Sequence, residues 1–162
     1  MAEQVKYALP AHDISLIIGD CEAENTITMI SNPYCQPCTN AHKALDGWIA
    51  NRNDVKLQVI FLTGKNENDR KAKIAAHLFS LQATKTNAYL KNALNEWYDQ
   101  EQKDYETWAK KHPTEGDWSA KSALKQQREW CKLTETHGTP VIFLNGRKLP
   151  KIYSPEDLKY LI

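Results

Sequence analysis

The sequence lacks any apolar run approaching the roughly 20 residues that a membrane helix needs; Leu16-Ile17-Ile18 is far too short. Its start, Met1-Ala-Glu-Gln-Val-Lys6, has no apolar core of the kind an export signal carries, so no such signal is expected there. Nor is there an excess of charge of one sign. Lys and Arg number 21 and Asp and Glu 20, a formal net charge of +1, so neither nucleic acid nor an anionic membrane surface is an expected partner. Cysteine is scarce, with four in 162 residues, a length that fits one domain able to bury a core without disulfides. So small a number leaves the redox compartment undecided, because a catalytic pair can work on either side of a membrane. His12, His77, His112 and His137 are scattered without metal-ligand spacing and read as surface or packing residues. No repeat or low-complexity segment is present.

What is there is a Cys-x-x-Cys pair in a particular setting. Residues 26–30, Thr-Ile-Thr-Met-Ile, are β-branched or apolar and bounded by polar residues and proline, which predicts a short buried strand. After Cys38 the apolar positions Ala41, Leu45, Trp48 and Ile49 recur at three- and four-residue spacings, which predicts a helix. Pro37 falls in its first turn, where the missing N–H breaks no intrahelical bond. Cys35 is thereby set at the amino end of the helix, where unpaired N–H groups and the macrodipole favour a thiolate. Cys38 follows one turn later, close enough to attack a mixed disulfide formed at Cys35, as thiol–disulfide exchange requires. Two other readings stand beside this one. Half of a zinc site needs a second close pair of Cys or His ligands, whereas Cys21 and Cys131 are isolated and His42 is the only nearby imidazole. A purely structural disulfide gives no reason for the strand-to-helix setting. Redox chemistry accounts best for the context; it calls for no metal and no cofactor beyond the cysteine pair.

Downstream, residues 55–62 alternate apolar positions at Val55, Leu57, Val59 and Phe61 after a turn at 51–54. Residues 26–62 therefore read strand–helix–strand, a βαβ unit with parallel strands. An earlier strand is expected near residues 14–18. Residues 66–136 read as helical. Ile74, Leu78 and Leu81 make one stripe and Leu90, Leu94, Trp97 and Tyr98 another, followed by Tyr105 and Trp108. Pro113 and Gly116 interrupt the run, and a last helix carries Ala123, Leu124, Trp130 and Cys131 after an apparent cap at Ser119. The aromatics are read as faces that dock these helices on the sheet, in preference to a peptide- or quinone-facing groove. Gly138-Thr139-Pro140 opens a strand at 141–144, and Asn145-Gly146 predicts a type I′ hairpin turn into 147–149. Ser154 as N-cap, Pro155 at the first helical position and Glu156 and Asp157 near the amino end predict a closing helix with Leu158, Leu161 and Ile162 on its apolar face.

A Cys-x-Pro-Cys at a strand–helix junction, a later Thr-Pro opening a hairpin and a closing helix together resemble the thioredoxin fold. The large insertion makes the chain similar to the DsbA-like branch of thiol–disulfide oxidoreductases. The expected architecture is α/β, βαβ…ββα: one thioredoxin-like domain over residues 1–162, with an all-helical insertion at 66–136 between the second strand and the cis-proline hairpin. The phrases Asn32-Pro-Tyr-Cys-Gln-Pro-Cys38 and Glu129-Trp-Cys131, with residues 138–146, are similar to the soluble thioredoxin-like domain attached to bacterial vitamin K epoxide reductase homologues. Carried over residue by residue, the resemblance implies Cys35 as exposed nucleophile and Cys38 as buried resolving thiol, with Tyr34, Gln36 and Pro37 as their neighbours. It implies Thr139-Pro140 as the cis-proline dipeptide that lies against the cysteines and offers backbone groups to an extended substrate. The implied activity is exchange with protein thiols and disulfides, without a cofactor, in the bacterial periplasm or tethered to a membrane as a mature or excised domain. A membrane quinone reductase is the implied electron partner. The alternative is a non-catalytic thioredoxin-like binding or chaperone module.

One position departs from the family pattern. Many thioredoxin-like enzymes carry a buried carboxylate six residues before the first cysteine, to accept the resolving thiol's proton; here that residue is Met29. Glu24, Lys43 or a water is left to substitute. Gln36-Pro37 contains no titratable group and is similar to the Gly-Pro of thioredoxin, a reductant, so an intermediate to reducing potential is expected. His42 and Lys43 are expected on solvated parts of the helix. Cys21 and Cys131 are read as unrelated thiols rather than a second, shuttling disulfide.

Overall fold

The computed structural model describes residues 5–66, 68–114, 120–150 and 153–162. Its strands, β1 (Leu16–Ile18), β2 (Asn25–Ser31), β3 (Val55–Phe61), β4 (Val141–Leu144) and β5 (Arg147–Lys148), form one sheet in the order β1-β3-β2-β4-β5. β2 and β3 are parallel, with Asn25 opposite Val55 and Ser31 opposite Phe61, and are joined by α1 (Gln36–Ile49). The remaining pairings are antiparallel. This is the thioredoxin fold expected from the motifs, with α2 (Arg70–Thr84), α3 (Asn87–Asp99), α4 (Tyr105–Lys111) and α5 (Lys121–Leu133) between β3 and β4.

Alternation along the strands divides the core. Ile27, Met29, Leu57, Val59 and Phe61 pack with Ala41, Leu45 and Ile49 of α1 and with Leu78, Leu94 and Trp97 of the insertion. On the opposite face Ile30, Ile60 and Phe143 meet Trp130 and Cys131 of α5. The alternation read in residues 55–62 describes only the first of these faces. All seven residues of β3 are buried, Lys56 and Gln58 included, because the amino-terminal segment crosses the second face. Lys56 Nζ donates to the Cys21 carbonyl at 2.9 Å, Gln58 Nε2 to the Pro10 carbonyl at 3.3 Å, and Trp130 Nε1 to the Ala8 carbonyl at 3.1 Å.

Side-chain amides attach the insertion to the sheet. Gln82 accepts from the Ile17 N–H at 2.8 Å and donates to the Ser15 carbonyl at 3.0 Å. Asn87 accepts from the Gly19 N–H at 2.9 Å and donates to the Ile17 carbonyl at 2.6 Å. Two side chains thus occupy the free edge of β1, which would otherwise present an unpaired backbone. The docking role read for the aromatic stripes holds: Leu90, Leu94, Trp97, Tyr98 and Trp108 are all buried in the main core.

Some elements differ from expectation. The first strand begins at Leu16, since His12–Ile14 form a 3₁₀ turn. The closing helix is a 3₁₀ segment, Pro155–Tyr160, in keeping with a run too short to establish α-type bonding. Only Leu158 of its expected apolar face is buried; Leu161 is 44% exposed. Asp157 accepts from the Ser154 N–H at 2.8 Å at its start. The predicted cap Ser119 and the break at Gly116 lie outside the described residues. The hairpin turn is as read, with φ of 49° at Asn145 and 87° at Gly146.

Candidate active site

The end of β2, the start of α1 and the loop before β4 converge on the two cysteines. Asn32 leaves the strand and folds its side-chain oxygen onto the Tyr34 N–H at 2.9 Å, while its carbonyl accepts the Cys35 N–H at 3.0 Å. These local bonds turn the chain so that Cys35 becomes the N-cap of α1, with extended φ and ψ of −89° and 126°. Its carbonyl receives the Thr39 N–H at 3.1 Å, and Pro37 sits in the first turn, as the spacing predicted. Cys35 is half-buried and Cys38 fully buried; both are thiols within hydrogen-bonding reach of each other.

Burial pushes the Cys38 thiol up to about 11. The Asn32 N–H, donating to Cys38 Sγ at 3.4 Å, and the Thr139 side chain oppose that rise, and neighbouring Cys35 adds to it. Thr139 therefore lies against the Cys38 thiol, and the Thr139–Pro140 peptide bond is cis. Pro37, Thr139 and Pro140 line one end of an open cleft of about 710 Å³, which continues past Val141, Leu149 and Tyr153. Gln36 points to solvent and donates to Asn40 Oδ1 at 3.0 Å. Tyr34 lies edge-on to Trp97 with ring centres 5.3 Å apart, and Arg70 stands 4.0 Å over its ring. Burial raises the Tyr34 phenol, and the Arg70 charge partly offsets this.

Sequence reasoning missed the contribution of α3, whose polar atoms reach three points of the site. Trp97 donates its indole N–H to the Pro33 carbonyl at 2.9 Å. The Tyr98 hydroxyl lies 2.7 Å from Ser31 Oγ, at the buried end of β2. Asn95 Oδ1 is 2.7 Å from His42 Nε2. Periodicity marks these aromatics as core, but it does not say where an N–H or O–H at the tip of a core side chain will point.

His42 corrects an expectation. It is 2% exposed, not solvated, because α3 covers that face of α1, and burial lowers its pKa. A neutral ring adds no positive charge beside the thiols. Lys43 is exposed and pairs with Asp99 at 3.5 Å, and Glu24 lies exposed ahead of β2, at the opposite end of that strand from Cys35. Neither is placed to serve Cys38. Met29 is fully buried six residues before Cys35. Cys21 is exposed beside the start of β3, through its contact with Lys56, whereas Cys131 is buried against Ile60 near the end of that strand; both are free thiols. Among the described residues no group of three or more His, Cys, Asp or Glu gathers to hold a metal ion, and no helix is long and apolar enough to cross a membrane.

Residues 12–162 match a family model described as Thioredoxin, so the chain belongs to the thioredoxin family. No curated protein matches the sequence. Solved structures share the fold at low identity. The catalytic domain of Proteus mirabilis ScsC superposes with a TM-score of 0.77 at 17% identity, covering 92% of this chain and 87% of that one. A periplasmic thioredoxin-like protein from Salmonella enterica serovar Typhimurium gives 0.76 at 12%, covering 92% and 88%. The thiol-disulfide exchange protein alpha-DsbA2 from Wolbachia pipientis gives 0.68 at 12%, covering 91% and 84%.

Proposed function

We propose that this protein is a thiol–disulfide oxidoreductase acting on other proteins through Cys35 and Cys38. The observation that carries the reading is a half-buried thiol at the amino end of α1 beside a fully buried one a turn later, under a cis Thr139–Pro140. Such asymmetry lets the outer sulfur meet a substrate while the inner one waits. Cys35 thiolate attacks a substrate disulfide, releasing one substrate thiol and forming a mixed disulfide. Cys38 then attacks Cys35 Sγ, releases the second substrate thiol and closes the Cys35–Cys38 disulfide. Run backwards, the same steps oxidise a substrate dithiol. Thr139, Pro140 and the adjoining cleft receive the extended substrate, and Tyr34, Gln36 and Pro37 are the sequence neighbours of the reacting cysteines.

Gln36-Pro37 carries no ionisable group and His42 is neutral, which supports a potential more reducing than the roughly −120 mV of DsbA; equilibration against glutathione measures it. The periplasmic setting of the Salmonella protein and the exchange activity named for the Wolbachia protein agree with a bacterial envelope role. A quinone-reducing membrane partner of the vitamin K epoxide reductase type belongs to this proposal and rests on the sequence phrases 32–38 and 129–131 with 138–146. Insulin reduction by the whole chain tests the activity. Cys35→Ser abolishes turnover, and Cys38→Ala accumulates mixed disulfides with substrate. A Cys35→Ser protein that keeps full function would make it a binding module instead.

A further inference from the structure

Burial raises the Cys38 thiol, so little of it carries the attacking thiolate at neutral pH. Efficient resolution calls for a base beside it. Among the described residues the carboxylates on the flanking helices are engaged, Asp46 with Asn95 and Lys91 and Asp99 with Lys43, and the strand residue six before Cys35 is buried Met29.

His42 lies four residues after Cys38, hence on the same face of α1, and helical side chains lean toward the amino end, here toward Cys38. Its ring stacks on Tyr98 with centres 4.5 Å apart and planes at 25°. The tautomer follows from the hydrogen bonds. Asn95 Nδ2 donates to Asp46 Oδ2 at 3.2 Å, and a carboxylate can only accept, so Asn95 must turn its oxygen to His42. At 2.7 Å from that oxygen, His42 Nε2 is the nitrogen that carries the hydrogen. A neutral imidazole has one N–H, so Nδ1 is a bare lone pair. It is buried and has no hydrogen-bond partner. An acceptor left so is costly unless something uses it.

We propose that His42 Nδ1 accepts the proton of the Cys38 thiol in the resolving step, with Asn95 and Asp46 holding the ring in the receptive tautomer. The step belongs to the exchange reaction proposed above. With a substrate sulfur joined to Cys35, the Cys38 S–H proton passes to Nδ1 as Cys38 Sγ attacks Cys35 Sγ. The Cys35–substrate S–S bond breaks and the Cys35–Cys38 bond forms. The electron pair leaves on the substrate sulfur, which takes a proton from solvent, and the imidazolium later returns its own to water. In the reverse direction the imidazolium protonates the departing Cys38. The charges facing the ring are Asp46 and Lys43 on α1 and Asp99 on α3; the carboxylates favour the transient cation and Lys43 opposes it. The stacked Tyr98 ring favours it too.

Reduced protein mixed with oxidised glutathione separates the two steps by rapid quench, Cys35 glutathionylation first and resolution by Cys38 second. In His42→Phe, which keeps an aromatic ring on Tyr98, resolution slows by about 10²- to 10⁴-fold at pH 7 and recovers as pH rises, while the first step is unchanged. Asn95→Leu slows the same step by less. Resolution in His42→Phe within about threefold of the unmodified protein, with the same pH profile, overturns the assignment. Failure of Cys35 to react at all would instead sink the exchange reaction itself. Nitrogen-15 NMR of the unmodified reduced protein reads the tautomer without any variant: an Nε2–H imidazole is expected at pH 7, and an Nδ1–H ring overturns the proposal.

Discussion

Trp97 reaches from α3 to the loop that delivers Cys35 and donates its indole N–H to the Pro33 carbonyl at 2.9 Å, a contact 64 residues apart in sequence. The ring is wholly buried between Tyr34 and Trp108, with centres 5.3 and 5.5 Å away. The helical insertion is therefore part of the apparatus that aims the first cysteine.

Trp97→Phe keeps most of the packing and removes the donor, stranding the Pro33 carbonyl. Such an unpaired buried group costs about 1–3 kcal/mol. Urea unfolding should show a loss in that range, accompanied by slower alkylation of Cys35 in the folded protein. A variant as stable as the parent, with unchanged Cys35 reactivity, would show that the bond is incidental.

The four thiols should separate by reactivity. Cys38 and Cys131 are buried and both pushed up to about 11, so neither offers appreciable thiolate at pH 8. Iodoacetamide on the native reduced protein should modify Cys35 and exposed Cys21 and spare the other two until unfolding. Mass spectrometry of peptides from a short exposure decides this. Comparable early labelling of Cys38 would contradict the buried, resolving role.

Stability should fall on acidification from about pH 6.5, before carboxylates titrate. Burial lowers the folded-state pKa of His42, so below the unfolded value of about 6.5 the unfolded chain binds a proton that the native one does not. The contribution is present above that pH and is lost as pH falls toward the folded value. The slope from one such histidine is at most about 1.4 kcal/mol per pH unit. Half-buried His77 acts in the same direction. Comparing unfolding at pH 7 and pH 5 for the parent and His42→Phe isolates the effect; identical slopes would mean that His42 is not held neutral by the fold.

Much of the fold was legible because it is written in short-range spacing. The apolar run at 26–30, Pro37 in a first turn, the Asn145-Gly146 turn and the stripes of α2 and α3 each depend on neighbours within a few residues. The errors came where distant segments intervene. Lys56 and Gln58 look solvent-facing by alternation, but the amino-terminal segment covers them. His42 reads as a polar helix position until α3 is laid over it. The closing segment, with caps suited to an α-helix, is 3₁₀.

By itself the sequence determined that two cysteines stand a turn apart at a strand–helix junction and that a Thr-Pro follows a long helical excursion. Local backbone preference is enough to dictate these. Only the tertiary structure decided which groups surround the sulfurs: that Thr139 meets Cys38, that Trp97 holds the Pro33 carbonyl, and that Asp46 and Asn95 orient His42. Hydrogen-bond partners separated by dozens of residues are chosen by how whole helices pack, and no periodicity in the chain encodes that choice.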